Sequence, residues 1–252
     1  MTTTDLTPEA AAAFEGWTAN DLLAWGIERF GDRIAISAAG GVDGMAILDM
    51  AWAIDPNIRV FTLDTGRLPK ETYTLFEKVR QRYGIDVEFV APDAEDLGAM
   101  LTAQGPDLMY RSVELRLRCC EVRKVEPLRR KLHTLDAWVT GLRRDQWKSR
   151  SAVQRVEIDT DHGGVVKLNP LVDWTLDQVW TYVREHGVPT HGLFGHGYPS
   201  IGCAPCTRPV LPGEPERSGR WWWETGVDKE CGIHCSVQLL GTPSDRERAA
   251  RE

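Results

Sequence analysis

The sequence predicts an α/β fold, a mostly parallel sheet with helices on both faces. Three observations predict it. The first half of the chain alternates strand-like with helix-like segments, the signature of strand–helix–strand units in a parallel sheet. The 252 residues are 42% apolar, enough to bury a substantial core. From residue 187 to 219 the texture changes to a Gly- and Pro-rich stretch without sustained periodicity. A loop of that length inside a compact chain is usually functional or disordered, and its motif density favours function.

The elements follow in order. Residues 33–37 (RIAIS) read as a buried strand, then a Gly-containing turn, and residues 42–52 are apolar with helical spacing. Arg59–Leu63 is a second strand, 68–83 a charged amphipathic helix and 86–90 (DVEFV) a third strand. Ala94–Gln104 is a helix, 137–141 (AWVTG) a fourth short strand, Val165–Leu168 an edge strand and 176–186 a late helix. No internal repeat occurs, and the charged residues 245–252 are expected to fray. The expectation is one α/β domain over residues 1–226 and a mobile tail over 227–252.

Composition excludes some functions. The net charge of −7 gives no general attraction for nucleic acid, so an anionic ligand must be held by a local basic cluster. No run approaches the ~18 apolar residues of a membrane span. The stretch MTTTDLTPEA lacks the basic and apolar regions of a signal peptide, so the expected location is cytoplasmic, with no membrane partner.

The cysteines carry the strongest signal. Cys119 and Cys120 are adjacent in RCCEVRKVEPL, and Cys203 and Cys206 form C-x-x-C in YPSIGCAPCTRP. Four thiols in two close groups suggest a four-thiolate site for zinc or an iron–sulfur cluster. Neighbouring residues on a helix diverge by roughly 100°. Two such thiolates converge poorly on one ion but reach different corners of a multi-iron cluster. C-x-x-C alone also occurs in zinc ribbons and redox disulfides, and an adjacent pair can simply be two small core residues. Cys231, in KECGIHC, follows a glycine-rich region near the C-terminal end. There a thiol could approach a pocket and then meet a partner thiol, or it is an incidental exposed cysteine.

Two other features suit an anion. The turn from Ser37 through Gly40 and Gly41 to Asp43 joins a strand to a helix. Backbone amides at a helix N-terminus bind anions, and glycine lets phosphate approach; the GK[ST] ending of a P-loop is absent. Arg217 and Arg220, in GEPERSGRWWWE, offer donor forks that suit phosphate and sulfate oxygens. Residues 221–223 are three tryptophans, read more as packing beneath the tail than as a stacking platform for a base.

The stretches ISAAGGVDGMAIL, FTLDTGRLPKETY, RCCEVRKVEPL, WVTGLRRDQ, GYPSIGCAPCTRPV, GEPERSGRWWWE and KECGIH occur in that order. Together they resemble the assimilatory, thioredoxin-dependent adenylyl-sulfate reductases, the iron–sulfur branch of the adenylyl-sulfate and phosphoadenylyl-sulfate reductase family. The resemblance runs from about residue 34 to 234. It implies an adenine-nucleotide α-hydrolase-like fold and a [4Fe–4S] cluster on Cys119, Cys120, Cys203 and Cys206, with Cys231 as nucleophile. It assigns substrate contacts to Ser37, Gly40, Gly41, Asp64, Thr65, Gly66, Arg67, Lys124, Arg150, Arg217, Arg220 and His234. Lys124 follows Cys120 by four residues, one helical face, beside the cluster and within reach of substrate. The family usually has a second serine and a glutamate where this chain has Ala39 and Val42.

The implied reaction takes adenosine 5′-phosphosulfate to sulfite and AMP. Cys231 carries an S-sulfocysteine that thioredoxin, or a glutaredoxin-like reductant, resolves. Three rivals remain: a phosphoadenylyl-sulfate reductase, an ATP-consuming adenylating enzyme of the same fold, and a metal-stabilised binding module without catalysis. A homo-oligomer is compatible with the sequence. Cys235, four residues after Cys231, is either a resolving thiol or, as the motif favours, a tolerated exposed residue.

Overall fold

The computed structural model describes residues 13–224, 230 and 232–234. Of the expected tail, therefore, only Glu230 and residues 232–234 are described, and Cys231 and Cys235 lie outside the described residues. Helix α1 (Ala19–Phe30) precedes the first strand and was not expected from the sequence. It starts at Thr18, whose hydroxyl accepts from the Asp21 amide while the Asp21 carboxylate accepts in return, a capping box. Strand β1 (Ile34–Ser37) leads into α2 (Val42–Ile54), β2 (Arg59–Leu63), α3 (Lys70–Tyr83), β3 (Glu88–Val90) and α4 (Ala94–Gln104).

Helix α5 (Val113–Cys120) then runs through one wide π turn (Glu121–Val125) into α6 (Glu126–Leu132). Pro127 lies near the start of α6. A proline lacks the amide donor and crowds the carbonyl one turn back, and the wider turn just before it relieves that clash. Strand β4 (Ala137–Val139), β5 (Val156–Asp159), β6 (Val165–Leu168) and α7 (Leu176–Glu185) complete the regular elements.

The sheet order is β3-β2-β1-β4-β6-β5. β1 pairs in parallel with β2 and β4, and β4 pairs in parallel with β6. Residues 165–168 are thus interior, not the edge expected from the sequence. The edge is β5, antiparallel to β6, with Glu157 opposite Lys167. A charged residue in a four-residue run makes a strand look peripheral. Here Lys167 is buried because Glu157 lies 3.2 Å from its ammonium.

Chain order reverses at β1, with β2 and β3 on one side and β4 on the other. Loops leaving the carboxyl ends of β1 and β4 therefore diverge, and such switch points open the crevice where ligands bind in α/β sheets. One sheet face is covered by α1, α2, α3 and α7 through Leu22, Ile47, Val79 and Val183. On the other, Phe61 and Trp138 pack with Leu128 and Leu132 of α6 and with Ile233 of the C-terminal segment. Among the described residues no helix is long and apolar enough to cross a membrane.

Candidate active site

A cleft opens at the switch point. Ser37, Ala39, Gly41 and Asp43 line it from the turn between β1 and α2, and Gly141 and Leu142 from the end of β4. Gly141 is required there, because a Cβ would meet the Asp43 Cβ at 2.9 Å and the Gly44 amide nitrogen at 3.1 Å. Its absence lets β4 end against the first turn of α2. The far wall carries Lys124, Arg150, Arg217 and Arg220, and Glu230, Ile233 and His234 close the floor.

Most residues predicted to contact substrate meet here: Ser37, Gly41, Thr65, Lys124, Arg150, Arg217, Arg220 and His234 all line the cleft. Gly40, Asp64, Gly66 and Arg67 are not in its lining. The Asp64 carboxylate closes its own loop, accepting from the Gly66 amide at 2.9 Å and the Tyr73 hydroxyl at 2.9 Å. Arg67 turns to a second cavity and pairs with Asp107 at 3.0 Å. Of the three arginines at 143, 144 and 150, Arg143 pairs with Asp43 at 2.5 Å, Arg144 faces Glu15 at 2.7 Å, and only Arg150 enters the cleft.

That second cavity is lined by Cys119, Cys120, Cys203 and Cys206. All four are buried and outside any disulfide. They arrive from two directions, the end of α5 and the turn around Ala204–Cys206, which is fastened by the Ala204 amide donating to the Arg67 carbonyl at 2.8 Å. Among the described residues no carboxylate lines the cavity; Arg67, Arg116, Arg123 and Lys124 do. Among the described residues no three His, Cys, Asp or Glu are placed to share a single metal ion. A cluster asks for something different, one thiolate at each of several corners, and four buried cysteines with cations beside them suit an anionic thiolate cluster. The charges act unequally. Burial opposes the Cys203 thiolate, yet Lys124, the Thr65 hydroxyl at 3.3 Å, Arg220 and Arg123 hold that thiol below its ordinary value. Burial and the neighbouring Cys203 push Cys206 up to about 11.

Lys124 and Trp221 line both cavities, so one lysine borders both the cysteines and the cleft. The tryptophans divide their roles. Trp221 is 1% exposed, and the guanidiniums of Arg116 and Arg220 both lie over its ring, each 4.8 Å from the centroid. Trp223 packs on Tyr110 at 4.5 Å, whose hydroxyl donates to the Pro205 carbonyl at 2.6 Å. Trp222 is half exposed.

Arg220 donates to the Ile201 carbonyl at 2.9 Å. A Cβ on Gly202 would lie 2.2 Å from its guanidinium, so the glycine leaves room for the arginine. His234 stacks on Trp138 of β4, 5.6 Å between centroids and 14° between planes, and its carbonyl accepts from Lys167 at 3.3 Å. Burial and the cations Lys167, Arg150 and Arg217 hold the imidazole well below its ordinary value, so it is neutral.

Sequence reasoning missed the acidic half of the site. Asp43 accepts from Arg143 and from the Gln146 amide at 3.1 Å. Glu216, 3.6 Å from Arg143, lines the cleft, and burial with the charge of Asp43 raises its carboxyl to about 7. Glu216 and Glu230 belong to the quoted GEPERSGRWWWE and KECGIH motifs, which was the available signal.

A family model for the phosphoadenosine phosphosulfate reductase domain matches residues 33–209. The chain belongs to that family. As a phosphoadenosine phosphosulfate reductase family member it is an enzyme, and its fold is akin to that of the adenine-nucleotide α-hydrolases. It is 44% identical over 232 residues to an adenosine 5′-phosphosulfate reductase of Pseudomonas aeruginosa (strain LESB58), covering 90% of this chain and 86% of that one. It is 42% identical over 249 residues to the adenosine 5′-phosphosulfate reductase of Burkholderia cepacia, covering 99% and 98%. A crystal structure of phosphoadenylyl-sulfate reductase from Candida auris, in a phosphate complex, superposes with a TM-score of 0.69 at 26% identity, covering 81% of this chain and 98% of that one.

Proposed function

We propose that this family member reduces adenosine 5′-phosphosulfate to sulfite and AMP in assimilatory sulfate reduction. The observation that carries the reading is the convergence of Lys124, Arg150, Arg217 and Arg220 with the β1–α2 turn at the sheet's switch point, one lysine away from four buried thiols. Backbone amides and guanidinium forks take the phosphosulfate oxygens, and their charge lets a second anion, a thiolate, approach. The Cys231 thiolate attacks the sulfate sulfur. An S–S bond forms, the S–O bond to AMP breaks, and its electron pair leaves on the phosphate oxygen. A thioredoxin thiolate then attacks Cys231 sulfur, sulfite departs with the bond's electrons, and the second thioredoxin thiol releases Cys231. The dithiol supplies both electrons.

Cys119, Cys120, Cys203 and Cys206 fit as the ligands of a [4Fe–4S] cluster, which would supply folding energy and a fixed local field, with Lys124 standing between its charge and the substrate's. Four buried cysteines outside any disulfide suit the reducing cytoplasm. In this reading residues 1–226 are the catalytic domain and 227–252 the tail that presents Cys231.

The test is sulfite release with thioredoxin from each of two nucleotides, adenosine 5′-phosphosulfate and its 3′-phosphorylated relative, alongside iron and sulfide analysis. The expected result is kcat/KM at least about tenfold higher for the unphosphorylated nucleotide, a difference of about 1.4 kcal/mol in transition-state stabilisation, and about four iron per chain. Equal or reversed ratios would assign the phosphoadenylyl-sulfate reaction instead.

A further inference from the structure

Glu230 occupies the arginines to which the substrate's anion has just been assigned. Its carboxylate lies 3.2 Å and 3.3 Å from the Arg150 guanidinium and 3.2 Å from that of Arg217, and accepts from the Ser149 hydroxyl at 3.3 Å. The side chain is buried and lines the cleft. Its backbone carbonyl is held separately by Arg116 at 2.6 Å. Burial opposes the Glu230 charge, but Arg217 and Arg150 outweigh it and hold the carboxyl below its ordinary value.

Two physical points follow. Guanidiniums buried without a counter-charge are costly, so a basic anion site that waits empty gains from an internal anion. Charge-assisted contacts in their best geometry are about 2.7–2.9 Å. The four contacts to Glu230 are all 3.2 to 3.3 Å. The carboxylate offsets part of the site's positive charge without locking it.

We propose that Glu230 is an anionic placeholder: it pairs with Arg150 and Arg217 while no nucleotide is bound and yields them to the phosphosulfate on binding. This rests on the reading of those arginines as the substrate's anion site. A carboxylate and a phosphosulfate cannot share the same donors, so binding is an exchange of one anion for another. The exchange keeps the arginines paired in both states and lowers the apparent affinity for nucleotide. Glu230 also precedes Cys231 directly, so the arrival of the anion frees the side chain next to the nucleophile.

The sign of one substitution decides it. Glu230→Gln keeps the shape and an accepting oxygen but removes the charge. Calorimetric titration of the purified holoenzyme with AMP should show Kd falling about five- to tenfold relative to wild type. KM for adenosine 5′-phosphosulfate should fall in parallel and kcat should not rise. If Glu230 is instead a brace that aims the arginines, the same variant binds AMP more weakly; that result, or an unchanged Kd, overturns the proposal. Arg217→Ala separates the two readings. If it weakens AMP binding while Glu230→Gln fails to tighten it, the placeholder alone is wrong. If it leaves AMP binding unchanged, the anion site itself is misassigned and the placeholder falls with it. Should Glu230→Gln misfold, Glu230→Asp, whose shorter carboxylate reaches the guanidiniums less well, must also bind AMP more tightly, and weaker or equal binding is contrary.

Discussion

Arg217 and Arg220 stand three residues apart in a segment without regular structure, and they reach the cleft by different means. Arg217 is paired with Glu230 at 3.2 Å, while Arg220 is braced by the Ile201 carbonyl and stacked on Trp221. Arg217→Ala should weaken nucleotide binding by roughly 1.5–3 kcal/mol, the scale of a charge-assisted hydrogen bond; unchanged affinity in a folded variant would give the residue a structural role. Glu216 brings a pH dependence. Its carboxyl rises from 4.5 to about 7 on folding, so the folded state binds the extra proton. Its contribution to stability is full below about pH 4.5 and is lost as pH rises through about 7. A neutral Glu216 also suits an incoming anion. Affinity for adenosine 5′-phosphosulfate, whose charges are fixed in this range, should therefore decline as pH rises past 7 in wild type, and Glu216→Gln should flatten that decline in a binding titration across pH. The basic residues were legible because arginine forks in a quoted motif announce anion chemistry. The carboxylates were not, because an isolated glutamate reads as solvent-exposed and only the fold brings Glu216 and Glu230 against buried guanidiniums.

At the scale of elements, the unit that matters is the seam between α5 and the tryptophan segment. Arg116 on α5 is 0% exposed and forks onto Glu224 through contacts of 2.9 Å and 3.0 Å. Its Nη1 also holds the Glu230 carbonyl. The two anchor the chain on either side of residues 225–229. Trp221, at φ 42°, is a non-glycine residue in the left-handed region, a strain of order 1–3 kcal/mol that the two guanidiniums over its ring and the Trp221 amide bond to the Cys206 carbonyl at 3.1 Å hold in place. Removing one partner of a buried ion pair leaves the other uncompensated. Glu224→Ala should therefore cost roughly 3–5 kcal/mol in chemical denaturation, whereas the double change Arg116→Met with Glu224→Leu should recover much of the loss. A single variant of wild-type stability would mean the pair contributes little. Cys203→Ser should give colourless protein with a lowered unfolding midpoint, since a lost ligand removes metal-coupled folding energy; full iron content would take Cys203 off the ligand set. The π turn, by contrast, was invisible in the sequence. It depends on how α5 and α6 join across Pro127, and a helical period of about 3.6 residues carries no mark for one wider turn.

Across the whole molecule, the parallel strands β1 to β4 and the helices α2, α3 and α4 were legible from the alternation of apolar runs, helical periodicity and turn residues. Helices α1, α5 and α6 and strand β5 escaped. Strand β5 (VEID) alternates charge with apolar residues, and its antiparallel pairing with β6, Glu157 opposite Lys167, makes it a strand. The switch point could not be read from sequence, since strand order is a property of the crossovers. It is nevertheless what gathers residues from 37, 124, 150, 217 and 234 into one cleft. The account's central claim is that this cleft delivers an activated sulfate to one cysteine, and the most direct measurement is mass spectrometry of the enzyme after mixing with one equivalent of adenosine 5′-phosphosulfate and no reductant. The predicted result is one added sulfonate on the peptide containing Cys231, AMP released in equal amount, and no sulfite until thioredoxin is added. The Cys231→Ser variant should bind the nucleotide but stay unmodified. A sulfonate on another residue, or sulfite released by Cys231→Ser, would contradict the account.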